Sequence, residues 1–122
     1  MSDIKIIVAE DNQMNQLLIK TIIALQGYTC FIADNGKIAI EELEKNDYDI
    51  ILMDIMMPIM DGFTAAKYIR EKLGNQTIPI IAVTADVTAN IKEKCKDAGM
   101  NDYISKPYNG DKLIEMIQNY TP

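Results

Sequence analysis

The sequence predicts an α/β fold, a doubly wound five-stranded parallel sheet with five helices. Three observations carry this. Five short apolar runs alternate with five stretches of helical periodicity along the chain. The runs are continuous and rich in β-branched residues, as suits strands buried on both faces. Glycines and capping residues stand where these segments should stop and start. Taken in order, Lys5 to Ala9 is the first strand and residues 13–26 the first helix, which Gly27 stops. Thr29 to Ala33 follows as a strand, and Asp34-Asn35-Gly36 turns the chain into a helix over 36–45. Asp49 to Met53 is the third strand, Asp61-Gly62 opens a helix over 63–73, and Gly74 ends it. Pro79 to Val83 is the fourth strand, Thr84-Ala85-Asp86 caps a helix over 87–98, and Gly99 ends that one. Tyr103 to Ser105 and residues 110–120 complete the pattern. No linker, repeat or low-complexity stretch interrupts it, so residues 1–122 are expected to form a single domain with no output domain among them.

Composition narrows the function. Apolar residues make up 48% and charged residues 25%, ordinary globular values that exclude a disordered or fibrous chain. A net charge of −6 disfavours direct binding to nucleic acid or an anionic membrane surface. The apolar runs fall far short of the roughly 20 residues that cross a bilayer, and the N-terminus lacks a signal-peptide core. A cytoplasmic protein without membrane insertion is therefore expected. There is no histidine, which removes histidine-based catalysis and histidine metal ligands. Cys30 and Cys95 lie in apolar patterns far apart and read as reduced structural thiols.

In open α/β sheets the crossovers are right-handed, and ligands sit beyond the carboxyl ends of the strands where the strand order reverses. The first strand here runs into Glu10-Asp11, the third into Asp54, the fourth into Thr84 and the fifth into Lys106. With strand order 2-1-3-4-5, Glu10, Asp11 and Asp54 meet in one crevice, and Thr84 and Lys106 stand on its far side. Two like charges about 4 Å apart repel by roughly 4 kcal/mol at an effective dielectric of 20. One lysine cannot neutralise three acids. A hard divalent cation can, and Mg²⁺ is favoured because it needs few protein ligands and leaves positions for water and phosphate oxygens. Singly, these residues read as a helix N-terminus, a turn, a cap and a solvated charge; together, at the ends of consecutive strands, they read as a phosphoryl-handling centre.

Four segments, Val8-Ala9-Glu10-Asp11-Asn12, Ile51 to Gly62, Ala82-Val83-Thr84-Ala85 and Ser105-Lys106-Pro107, resemble in order and spacing the receiver domain of two-component response regulators. The likeness runs from Lys5 to about Tyr120, and the Glu10-Asp11-Asn12 start with Asn15 is closest in style to receivers of hybrid histidine kinases. The resemblance implies a flavodoxin-like fold and a phosphoacceptor signalling domain rather than an enzyme. It implies that Asp54 takes a phosphoryl group from a phosphohistidine on a histidine kinase or histidine phosphotransfer protein. Asp11, Asp54 and the backbone carbonyl of Met56 would hold Mg²⁺, with Glu10 acting through water. Thr84, the Ala85 N–H and Lys106 would bind the phosphoryl oxygens. Lys106-Pro107 would be a cis peptide, and Thr84 and Tyr103 would switch the surface of the fourth helix, fifth strand and fifth helix toward a downstream protein target. Glu10 replaces the aspartate of many receivers, which water-mediated contact should tolerate.

Two rival readings are weaker. A phosphatase of the haloacid dehalogenase type needs a second aspartate two residues after its nucleophile, and that position is Met56. A flavodoxin-like binding module would show a Gly-rich or Ser/Thr-rich phosphate loop after the first strand, where none stands. Finally, the first helix carries more apolar residues than one packing face requires. Ile19, Ile22 and Ile23 form one stripe, assigned to the core, and Met14, Leu18 and Leu25 form a second beside it. Met14 and Leu18 are expected to be at least partly exposed near the crevice, as a docking surface for the phosphodonor.

Overall fold

The computed structural model describes residues 4–85, 88–107 and 109–122. Strands β1 (Lys5–Ala9), β2 (Thr29–Ala33), β3 (Ile50–Asp54), β4 (Ile80–Thr84) and β5 (Asp102–Ser105) alternate with helices α1 (Gln13–Leu25), α2 (Gly36–Lys45), α3 (Gly62–Glu71), α4 (Ala89–Asp97) and α5 (Gly110–Tyr120). All pairings are parallel, in the order β2-β1-β3-β4-β5.

Side chains that alternate along each strand split the core between the two faces of the sheet. Ile7, Ile51, Met53 and Ile80 pack with Ala39, Ala65, Ile69 and Cys95, which places α2, α3 and α4 on one face. Ile6, Val8, Leu52 and Ile81 pack with Ile19, Ile23, Leu113 and Ile117, which places α1 and α5 on the other. Each buried Ile or Leu contributes about 1.5–3 kcal/mol by leaving water, so this two-sided burial is what makes the central strands continuous apolar runs. Both cysteines are free thiols, Cys95 buried and Cys30 half-buried.

The punctuation largely matches expectation. Gly27, Gly74 and Gly99 have φ of 81°, 68° and 89°, the left-handed conformation in which a helix turns off. Asn12, Asn35, Asp61, Thr88 and Asn109 cap the five helices, each side chain accepting from a backbone N–H three residues on. The fourth helix corrects the sequence reading: Thr88 is its cap, whereas Thr84 closes β4, and Asp86 and Val87 lie outside the described residues. The third and fourth strands also run one residue later than expected, so Asp54 and Thr84 are the last residues of their strands.

Arg70 carries a constraint that periodicity does not reveal. Buried at the end of α3, it donates to the Gly99 and Asn75 carbonyls, both at 3.0 Å, and to Asn101 Oδ1 at 2.9 Å. These bonds tie α3, α4 and β5 together at the end of the sheet opposite the acidic residues.

Candidate functional site

The strand register builds the site. Ala9 pairs with Met53, so the next residues, Glu10 and Asp54, emerge level with each other. Asp54 pairs with Val83 and Thr84 with Ser105, so Thr84 and Lys106 follow one step later on the adjoining strands. Each strand thus delivers its polar residue at the same edge, and the carboxylates of Glu10, Asp11 and Asp54 each place an oxygen within 4.8 Å of the others. Glu10, Asp54 and Thr84 are buried, while Asp11 is exposed at the opening.

Lys106 reaches into this cluster. Its Nζ lies 2.8 Å from Asp54 Oδ2 and 3.2 Å from Glu10 Oε1. The backbone N–H of Met56 donates to the other Asp54 oxygen, Oδ1, at 3.1 Å, and Asn12 N–H donates to Glu10 Oε2 at 3.1 Å. The Lys106–Pro107 peptide is cis, and the Lys106 N–H donates to the Thr84 carbonyl at 2.8 Å.

The electrostatics show how far one lysine falls short. Burial pushes the Asp54 carboxyl up to about 6; the Glu10 charge adds to this, and Lys106 and the Met56 N–H only partly oppose it. Burial works against the Lys106 charge, yet hydrogen bonding to Asp54 and the charges of Asp54 and Glu10 outweigh it and hold the ammonium above its usual range. The donor set is three carboxylates, all hard oxygen ligands, with one ammonium beside them, and this suits a divalent cation of the Mg²⁺ or Ca²⁺ type rather than a softer metal.

The loop from Asp54 to α3 is unusually tight. Ile59 has a φ of 70°, rare for a β-branched residue, and the turn brings the Gly62 N–H to the Ile55 carbonyl at 2.9 Å. Gly62 does not have a positive φ. It is required for space, because a Cβ there would fall on the Asp54 carbonyl oxygen and 2.9 Å from Ile55 Cα.

The remaining predicted residues divide into two groups. Ala85 is exposed beside Thr84, and Tyr103 is half-buried on β5 with Lys92 Nζ 5.0 Å from its ring centroid. On α1, Ile19 and Ile23 are fully buried and Ile22 partly so, whereas Met14 is 82% and Leu18 42% exposed. Leu17 and Leu25 are exposed as well, as are Met56 and Ile59 on the loop after β3. Leu17 was not singled out by the sequence reading, although at 100° per residue it adjoins Met14 and Leu18 on one face. Gln16, also not singled out, donates from its side-chain amide to the Glu10 carbonyl.

A doubly wound parallel sheet with an acidic crevice and an inward lysine at its carboxyl edge defines a flavodoxin-like α/β class with a hard-cation site at its strand ends. The chain belongs to the response regulator receiver domain family, whose model matches residues 6–118. It is 46% identical over 120 residues to hybrid signal transduction histidine kinase I of Dictyostelium discoideum, covering 93% of this chain and 7% of that protein. In this and seven other curated relatives among the most similar, the chain spans between 5% and 15% of their length. Among solved structures, it resembles the receiver domain of sensor histidine kinase PA1611 from Pseudomonas aeruginosa PAO1, determined with a magnesium ion coordinated in the active site cleft. That match has a TM-score of 0.89 and 35% identity and covers 98% of both chains. It also resembles the receiver domain of the Saccharomyces cerevisiae response regulator Ssk1, solved with the histidine phosphotransfer protein Ypd1. There the TM-score is 0.90 and the identity 27%, covering 98% of this chain and 89% of that one. Among the described residues no helix is long and apolar enough to cross a membrane.

Proposed function

We propose that residues 1–122 act as one receiver domain in which Asp54 accepts a phosphoryl group from a phosphohistidine of a histidine kinase or histidine phosphotransfer protein, in the cytoplasm. The observation that carries this reading is the convergence of the Glu10, Asp11 and Asp54 oxygens within 4.8 Å, with Lys106 bonded to two of the three. Asp11, Asp54 and the backbone carbonyl of Met56 would hold Mg²⁺ directly and Glu10 through water; the ion supplies charge neutralisation of the phosphoryl oxygens. An Asp54 oxygen attacks phosphorus in line. The new O–P bond forms as the P–N bond to the donor imidazole breaks, and the electron pair returns to the imidazole nitrogen. No general base is needed, because the ionised carboxylate is already the nucleophile. Lys106 moves its donors to the incoming phosphoryl group, and the Thr84 hydroxyl and Ala85 N–H complete its cradle.

This makes the chain a stoichiometric acceptor rather than a turnover enzyme. Incubation with acetyl phosphate and Mg²⁺, followed by intact mass measurement, should show a gain of one phosphoryl group. Steady hydrolysis of a phosphorylated small molecule without that gain would favour the phosphatase reading and overturn this one.

Two expected results concern signalling. In the switch, Thr84 follows the phosphoryl group and Tyr103 responds, reshaping the surface of α4, β5 and α5 for a downstream target. Thr84→Ala should still accept the phosphoryl group yet lose most of the backbone NMR shifts that labelling produces in those elements. A full remote response in the variant would contradict the switch assignment.

The exposed Met14 and Leu18 suit a helical phosphodonor that buries them beside the crevice. Leu18→Ala should slow transfer from the cognate donor about tenfold, equivalent to ~1.4 kcal/mol of lost contact, while acetyl phosphate labels it at the wild-type rate. Equal losses in both assays would argue against docking.

A further inference from the structure

Gln16 lies in the first turn of α1 and is bound on two sides. Its Nε2 donates to the backbone carbonyl of Glu10 at 2.5 Å and to Asp34 Oδ1 at 2.9 Å. A side-chain amide nitrogen has two N–H groups, so each acceptor takes one of them. Both partners are pure acceptors in these contacts, which fixes the amide orientation chemically.

The Glu10 carbonyl belongs to the planar peptide that joins Glu10 to Asp11, so its direction decides where Asp11 is carried. On one side of that peptide the Glu10 N–H is anchored to the Ala33 carbonyl at 3.0 Å. On the other, the Asn12 carbonyl is anchored by the Gln16 N–H at 2.9 Å as α1 begins. The peptide between these anchors is gripped by the Gln16 side chain. The same grip ties the β1–α1 loop to Asp34, in the loop between β2 and α2.

We propose that Gln16 is a positioning residue for the cation site: by clamping the Glu10 carbonyl against Asp34, its amide holds the peptide between Glu10 and Asp11 in the direction that keeps the Asp11 oxygen within the acidic cluster. This inference rests on the metal-binding reading above. Gln16 touches neither the cation nor the phosphoryl group. Without the clamp the peptide turns more freely, Asp11 spends less time beside Asp54, and ion binding must first restore that arrangement.

The test is an NMR-monitored Mg²⁺ titration of the full chain, with no phosphodonor, alongside thermal melts in chelator. Gln16→Met keeps the length and loses both donors, and Gln16→Ala removes the side chain. Each should raise the half-saturating Mg²⁺ concentration about tenfold, the scale of one lost hydrogen bond. Asp34→Asn retains an acceptor oxygen for the clamp and should stay within about threefold of wild type. A purely structural Gln16 would lower the melting temperature in chelator without moving the Mg²⁺ midpoint, and that result overturns the proposal. An equal weakening in Asp34→Asn overturns it too, by assigning the effect to the Asp34 charge. If the wild-type chain itself fails to respond to Mg²⁺, the metal-binding reading falls, and this inference with it.

Discussion

Asp54→Asn is expected to abolish labelling by any phosphodonor and, at the same time, to give a more stable fold in the absence of divalent cations. The first effect follows from chemistry. A carboxamide is not a nucleophile toward phosphorus, and neither neighbouring acid shares the position of Asp54, which receives Lys106 on one oxygen and the Met56 N–H on the other. The second follows from the environment. Asp54 is only 3% exposed, and its carboxyl is pushed up to about 6 from an ordinary 3.8. In the native state it therefore keeps its proton to higher pH than in the unfolded chain, and wild-type stability falls as pH rises through that window. The asparagine variant escapes this loss. Its advantage should be small below about pH 4 and complete above about pH 6, reaching on the order of 1–3 kcal/mol at neutral pH. Urea denaturation in chelator at the two ends of the window measures it. A variant less stable than wild type at neutral pH would show that the Lys106 bond outweighs the burial and repulsion at Asp54.

Gly62→Ala is expected to damage stability and the site together. The added methyl would meet the Asp54 carbonyl oxygen and the Ile55 Cα, both backbone atoms that cannot swing away. Overpacking of this kind costs typically 1–3 kcal/mol and sometimes more, and a fall in melting temperature of about 10 °C is the expected scale. The relief available is a shift of the strand end itself, which moves the Asp54 carboxylate away from Glu10 and Lys106. Phosphoryl acceptance from acetyl phosphate should therefore fall by more than tenfold at a temperature where the variant remains folded. A variant with a lowered melting temperature but wild-type labelling would show that the loop absorbs the strain without moving Asp54.

Much of this was legible before any coordinates, for identifiable reasons. The central strands β1, β3 and β4 are buried on both faces, and that alone makes continuous apolar runs such as Ile50 to Met53 conspicuous. Glu10, Asp54, Thr84 and Lys106 were legible because they end such runs, and a parallel sheet brings its strand ends to one edge. What was hidden depends on contacts between segments distant in sequence. Gln16 and Asp34 are 18 positions apart, and Arg70 and Asn101 are 31 apart; no periodicity marks either pair. Gly62 looked like turn chemistry, whereas the structure shows a glycine needed for close backbone approach. The α4 cap was misplaced because Thr84 and Thr88 are both good caps, and only the extra residue of β4 separates them. Leu17 escaped notice because three isoleucines suffice to define an inward face, and the width of the outward one is set by what α1 leaves uncovered.

Reductive trapping tests the central assignment most directly. Borohydride converts an aspartyl phosphate, and not a free aspartate or a phosphorylated hydroxyl, to homoserine. After labelling with acetyl phosphate and Mg²⁺, the chain is reduced, digested and sequenced by tandem mass spectrometry. Homoserine at position 54, dependent on both reagents, is the predicted result. Homoserine at position 11, or a phosphoryl group that survives reduction on a serine, threonine or tyrosine, would contradict it.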